Sequence, residues 1–189
     1  MSETSTSRRW AELAVLWLLA LGFGLTAAMG YIASANFRQT DPRTLRNAEQ
    51  VLAPIADAQH RRTALRYVAS ELNRHLFIVY DRVHLVVFGL AFVLYLLSRP
   101  RSRLVLGGLG FFVLLSLLYT FYLTPTLVSM GREIDFVPRD PPPPEVARFY
   151  LIHETNVALE LIKLALIAAV SLALARRVGP RAATGGWIQ

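Results

Sequence analysis

Four stretches of this chain, Trp10–Ala35, Leu76–Leu97, Leu104–Leu127 and Phe149–Ala175, are each long and apolar enough to cross a bilayer. A hydrocarbon core of about 30 Å takes about 20 helical residues. Within 189 residues these four runs leave no space for a large soluble domain. The spacing therefore predicts an all-α, polytopic membrane protein. Its single four-helix transmembrane domain covers residues 10–177, with spans at about 10–35, 76–97, 104–127 and 149–175, an N-terminal tail 1–9 and a C-terminal tail 178–189. Hydrophobic residues make up 54% of the chain and charged ones 17%, away from the soluble average and in keeping with that class.

The first run invites a competing assignment. Arg8 and Arg9 precede it, and Ala33-Ser34-Ala35 matches the small-residue pattern of a signal-peptide cleavage site. The run is about 25 residues, however, whereas a signal h-region takes about 7–15, so retention as a true span is expected. The two arginines read as a topology anchor rather than a twin-arginine signal.

In a soluble protein the net charge of +7 would suggest nucleic acid. Here the arginines flank apolar spans, where they serve anionic lipid and topogenesis, and no nucleic-acid partner is expected. The absence of cysteine excludes disulfides, thiolate metal sites and iron–sulfur clusters. An even number of spans puts both termini on one side, together with the loop 98–103. Arg99, Arg101 and Arg103, packed into that loop, point to cytoplasmic termini.

The first connection, 36–75, is not low-complexity. Asp41-Pro42 resembles an N-cap followed by proline at the first helical position. Beyond it Leu45, Ala48, Leu52 and Ile55 recur on one side at helical spacing. That predicts a short amphipathic helix packed on protein. From Arg62 no Gly or Pro interrupts the pattern before Gly89, so one helix of about 54 Å is expected to run into the second span and project beyond the bilayer. The other connection carries Pro138 and the run Pro141–Pro144, an extended and stiff strap.

Polar residues inside the spans carry the functional signal. In the fourth run His153, Asn156, Glu160 and Lys163, the chain's sole lysine, stand at relative positions 0, 3, 7 and 10 on one narrow helix face. Along the second, Arg74, Phe77, Tyr80, Asp81, His84 and Phe88 share a broad face, with Arg82 pointing almost oppositely. The third contributes Ser116, Tyr119 and Thr120 before ending near Thr124-Pro125. The topology places Asp81, His84, Tyr119, Thr120, His153, Glu154 and Asn156 in one half of the bilayer. Each ionisable residue in a span costs roughly 2.5–3.5 kcal/mol on insertion scales, so this cluster needs partners or water.

Three readings follow. In the first the cluster is a packed interior, with Glu160 paired to Lys163, His153 to Asp81, Asn156 bridging helices, and Gly107, Gly108 and Gly110 admitting close helix contact. In the second it lines a solvated cavity where Glu160, Asp81 and Glu154 exchange protons around an ion or small solute. In the third His84 and His153 ligate haem b or a metal from facing helices. Polar residues in spans often serve packing alone, and a membrane histidine is more often a hydrogen-bonding residue than a ligand. Enzyme motifs are missing. Gly107-Gly108-Leu109-Gly110 lies in a span rather than a phosphate loop, and His153-Glu154-Thr155-Asn156 lacks the second histidine of a zinc-protease helix. No catalytic residue is assigned.

The layout resembles the small four-span family of unknown function typified by transmembrane protein 205. The resemblance rests on Asn36-Phe37 ending the first span and on Leu76-Phe77-Ile78-Val79-Tyr80-Asp81-Arg82 entering the second. Tyr122-Leu123-Thr124-Pro125 ends the third, and Phe149-Tyr150-Leu151-Ile152-His153 with Asn156 opens the fourth. It implies an integral membrane protein without an established catalytic activity. The expected function is a non-enzymatic membrane component, either accessory to a larger membrane assembly or homo-oligomer, or handling protons or a small solute. Haem or metal binding through His84 and His153 is the alternative.

Overall fold

In the computed structural model, residues 3–98, 102–138 and 140–178 are described. They form α1 (Glu3–Gln39), the four-residue α2 (Ala48–Val51), α3 (Ala58–Leu97), α4 (Arg103–Leu118), a π-helical turn (Tyr119–Leu123), α5 (Thr124–Glu133) and α6 (Pro144–Val178). No strand occurs among the described residues. Four helical segments, Thr6–Gln39, Ala58–Leu97, Arg103–Glu133 and Pro144–Val178, are long and apolar enough to span a membrane, with mean hydropathy of 1.9 to 2.3. In hydrocarbon every main-chain amide must be satisfied within its own segment, which a helix does. The chain is an integral, multi-pass α-helical membrane protein.

The long helices close into a ring. α1 packs on α3 and α6, and α4 packs on the same two, so α3 and α6 face each other across the diagonal. Between them Val15 and Leu19, Phe88 and Tyr95, Phe112, and Leu174 form part of a dry core at the end of the bundle that carries the chain termini. Outward-pointing residues are large and apolar, among them Trp17, Leu114 and Leu161. On a soluble protein such patches would mark interfaces, whereas here they meet acyl chains.

α3 is 40 residues long, about 60 Å, and extends well past the bilayer as predicted. It starts at Ala58 because Asp57 caps it, its carboxylate accepting from the His60 amide at 2.7 Å. The amphipathic helix predicted across Leu45–Ile55 does not form. Asn47 adopts φ of 60°, a left-handed conformation that ends helical propagation, and only the single turn of α2 follows. Asp41 does not cap a helix either. It accepts from the Arg43 amide and guanidinium, and that cation holds its carboxyl down at about 2.

The third span differs too. It does not stop near Thr124-Pro125 but continues to Glu133. Proline lacks an N–H and its ring clashes with the carbonyl four residues back. The helix accommodates it by widening: the Thr124 amide donates to the Tyr119 carbonyl, five residues earlier. After α5 the chain is pinned to the projecting part of α3. Arg74 grips Asp135 with two hydrogen bonds of 2.7 and 2.8 Å and also binds Glu71, while Arg66 donates to the Asp135 carbonyl. The proline strap then leads into α6, whose first residue is Pro144, where a missing N–H costs nothing.

Candidate functional site

Spacing alone sets up the local pieces. Glu160 and Lys163 are three apart on α6, Tyr80 and His84 four apart on α3, and Gly22 and Thr26 four apart on α1, so each pair shares a face. The ring of helices then turns all three faces inward. Lys163 is 1% exposed. Its Nζ donates to Glu160 Oε1 at 2.7 Å and to the Tyr80 hydroxyl at 3.0 Å. The same ammonium lies 5.1 Å from the ring centres of both Tyr80 and Tyr119, a cation–π arrangement that further replaces its lost hydration. The Tyr80 hydroxyl donates to Glu160 Oε2 at 2.6 Å and lies 3.1 Å from the Thr26 hydroxyl.

The network continues through α1. Thr26 donates to the Gly22 carbonyl at 2.9 Å, and His84 Nε2 approaches the same carbonyl at 3.1 Å. A carbonyl only accepts, so Nε2 of His84 carries the proton, and Nδ1 presents a bare lone pair. Gly22 is required there: a Cβ would lie 2.7 Å from Phe88 Cζ. Phe88 stacks in turn on His84 and begins the dry core.

Asp81 occupies the next position on α3 and is 3% exposed. Thr124 lies beside its carboxyl group, and Oδ2 has no hydrogen-bond partner. Four other buried polar atoms share that condition: His84 Nδ1, Tyr119 Oη, Thr120 Oγ1 and Asn156 Oδ1. Asp81, Thr120, Thr124 and Pro125 line a cavity of about 620 Å³ between α3 and the π turn with α5, whose far wall is Ser129 and Glu133. Twenty residues counted back from the basic ends of the bundle reach Ile78 on α3 and Asn156 on α6. Asp81 and Glu160 therefore sit about one helical turn inside the hydrocarbon boundary on the connection side.

Several sequence expectations meet this geometry directly. Glu160 and Lys163 form an ion pair, and Asp81, His84 and Tyr119 are buried as one inward group. His153 does not pair with Asp81. It is half-buried and lies parallel to Phe149, their ring centres 5.7 Å apart. Glu154 is exposed on the outer face of α6, and the buried Asn156 oxygen bridges nothing. Both His153 and Glu154 lie on the connection side of the twenty-residue count above.

The haem alternative fits poorly. α3 and α6 run in the same direction, with Tyr80 level with Glu160. His84 is one turn beyond Tyr80, and His153 seven residues before Glu160, a separation of about 17 Å along the bundle. His84 Nε2 is moreover committed to Gly22. The two rings do not meet at one iron. No three His, Cys, Asp or Glu side chains gather as a metal-ligand set among the described residues.

The contribution of α1 was not anticipated from sequence. Gly22 and Thr26 complete the Tyr80 and His84 contacts. Asn36 donates to Asn73 at 2.6 Å, which donates back to the Ala33 carbonyl at 3.1 Å. Glu12, the one acid within the first apolar run, is buried against Arg8 at 3.2 Å and was a visible signal that this helix has a polar inner stripe. Comparison with family models, curated proteins and solved structures found no match.

Proposed function

We propose that this membrane protein handles protons together with a small solute at the Asp81 cavity, with the Tyr80–Glu160–Lys163 network as its charged inner wall, and that it acts without covalent catalysis. One observation carries the reading. Asp81 is 3% exposed, one of its carboxylate oxygens lacks any protein partner, and the residue lines a cavity close to one membrane surface. A purely structural polar interior favours the opposite condition, because each unsatisfied buried group costs about 1–3 kcal/mol. Two such atoms, Asp81 Oδ2 and Thr120 Oγ1, belong to residues of the cavity wall and support an occupant that meets them. The resemblance in layout to the four-span family typified by transmembrane protein 205 belongs to the same proposal.

The test is proton uptake into proteoliposomes carrying a pH-sensitive dye, after a pH step. Uptake by the parent protein should exceed that of empty liposomes. Asp81→Asn and Glu160→Gln, inserted and monodisperse, should fall to the empty-liposome rate. Equal uptake by the parent and both variants would overturn the proposal.

A further inference from the structure

The five unpartnered buried atoms have one property in common: each is an oxygen or nitrogen bearing a free lone pair. Two of them, Tyr119 Oη and Thr120 Oγ1, are hydroxyls that also carry a proton, while Asp81 Oδ2, His84 Nδ1 and Asn156 Oδ1 offer lone pairs alone. Two arginines line the cavity wall, but Arg132 gives its guanidinium to Glu71 at 3.2 and 3.3 Å, and Lys163 beyond the wall is met by Glu160. Along the cavity wall Asp81 and Glu133 remain against Arg82, which is exposed and long enough to place its charge at the interface.

The π turn supplies a further acceptor. Pro125 has no N–H, so one main-chain carbonyl of the turn loses the donor that an ordinary residue would supply. That turn lines the cavity through Thr120, Phe121, Thr124 and Pro125. Carboxylate, hydroxyl and carbonyl oxygens are the ligands of hard cations. A divalent ion of this type draws on several carboxylates, whereas here one carboxylate stands with neutral oxygens, a set matched to a single positive charge.

Resting on the cavity reading above and extending it, we propose that the Asp81 cavity binds a monovalent hard cation of the sodium type through Asp81 Oδ2, Thr120 Oγ1 and the π-turn carbonyl freed by Pro125. Entry is from the connection side, past Ser129 and Glu133. The unwound turn replaces part of the ion's hydration shell with main-chain oxygen, as broken helices do where they line a cavity.

Binding of radioactive sodium to purified protein in detergent, with choline as the replacing cation, tests this. Saturable binding is expected. Asp81→Asn and Thr120→Val should each weaken it about tenfold or more, the range seen when a metal-site contact is removed. Pro125→Ala, which keeps the acid and restores an N–H, should weaken it as well. Size-exclusion profiles matching the parent identify variants that retain the fold. Sodium bound as tightly by Asp81→Asn as by the parent would overturn the cation site. So would absence of saturable binding in protein that still shows Asp81-dependent proton uptake, a result that leaves the proposed function standing. Absence of both activities would remove the two together.

Discussion

Lys163 and Glu160 show how a single ion pair is held inside hydrocarbon. The ammonium keeps two hydrogen bonds and two aromatic faces, so its burial is compensated at every side the fold offers. Removing only one partner leaves an uncompensated buried charge, which costs about 3–5 kcal/mol. Lys163→Met should therefore lower the unfolding midpoint in micelles sharply, while the double variant Lys163→Met with Glu160→Gln should recover much of the loss. A single variant as stable as the parent would contradict the pairing. This contact was legible in the sequence, because three residues along one helix fix it. The surroundings of Asp81 were not. Whether it faces His153 or the π turn depends on the rotation of helices about their axes and on the one-residue register shift of that turn, neither of which leaves a mark in spacing.

At the level of elements, close approach is concentrated at two glycines. A Cβ on Gly108 would lie 2.5 Å from Val170 Cγ2, and one on Gly22 2.7 Å from Phe88, whereas Gly107 and Gly24 have nothing within 4 Å. Gly108→Ala and Gly22→Ala should each cost about 1–3 kcal/mol through overpacking, and Gly107→Ala and Gly24→Ala should not. Thermal unfolding of the four variants checks it; equal melting temperatures would refute the packing described. The sequence singled out the glycine cluster but did not separate Gly108 from Gly107, since the two differ only in which face meets α6. The clamp of Arg74 on Asp135 makes a second prediction. Asp135→Ala should raise amide exchange across 134–138 while the spans stay protected, since it removes both side-chain hydrogen bonds by which Arg74 of α3 holds this segment. Proline misled at Pro125, where it reads as a terminator yet the helix persists by widening. Hydrophobic spacing misled at Leu45–Ile55, where one left-handed asparagine outweighs it.

Taken as a whole molecule, the bundle is divided across its thickness. The half beside the connections holds the polar network and the cavity. The half beside the termini is sealed by Phe88, Phe112 and Tyr95 with the aliphatic residues around them. The four spans and their long second helix were evident from hydropathy, because length and apolarity are local properties. The division itself was only partly evident: the polar residues of α3, α4 and α6 pointed to it, but the share taken by α1 emerges only when the ring closes.

Access from one side alone is the consequence, and the chain's lack of cysteine makes it directly measurable. Single cysteines at Thr120, at Leu109 in the dry core and at Arg43 in the first connection can be exposed to a membrane-impermeant thiol reagent in proteoliposomes, from each face in turn. Thr120→Cys should react only from the face that labels Arg43→Cys, and Leu109→Cys from neither. Thr120→Cys as inert as Leu109→Cys, or reactive only from the opposite face, would contradict a polar site open to the connection side.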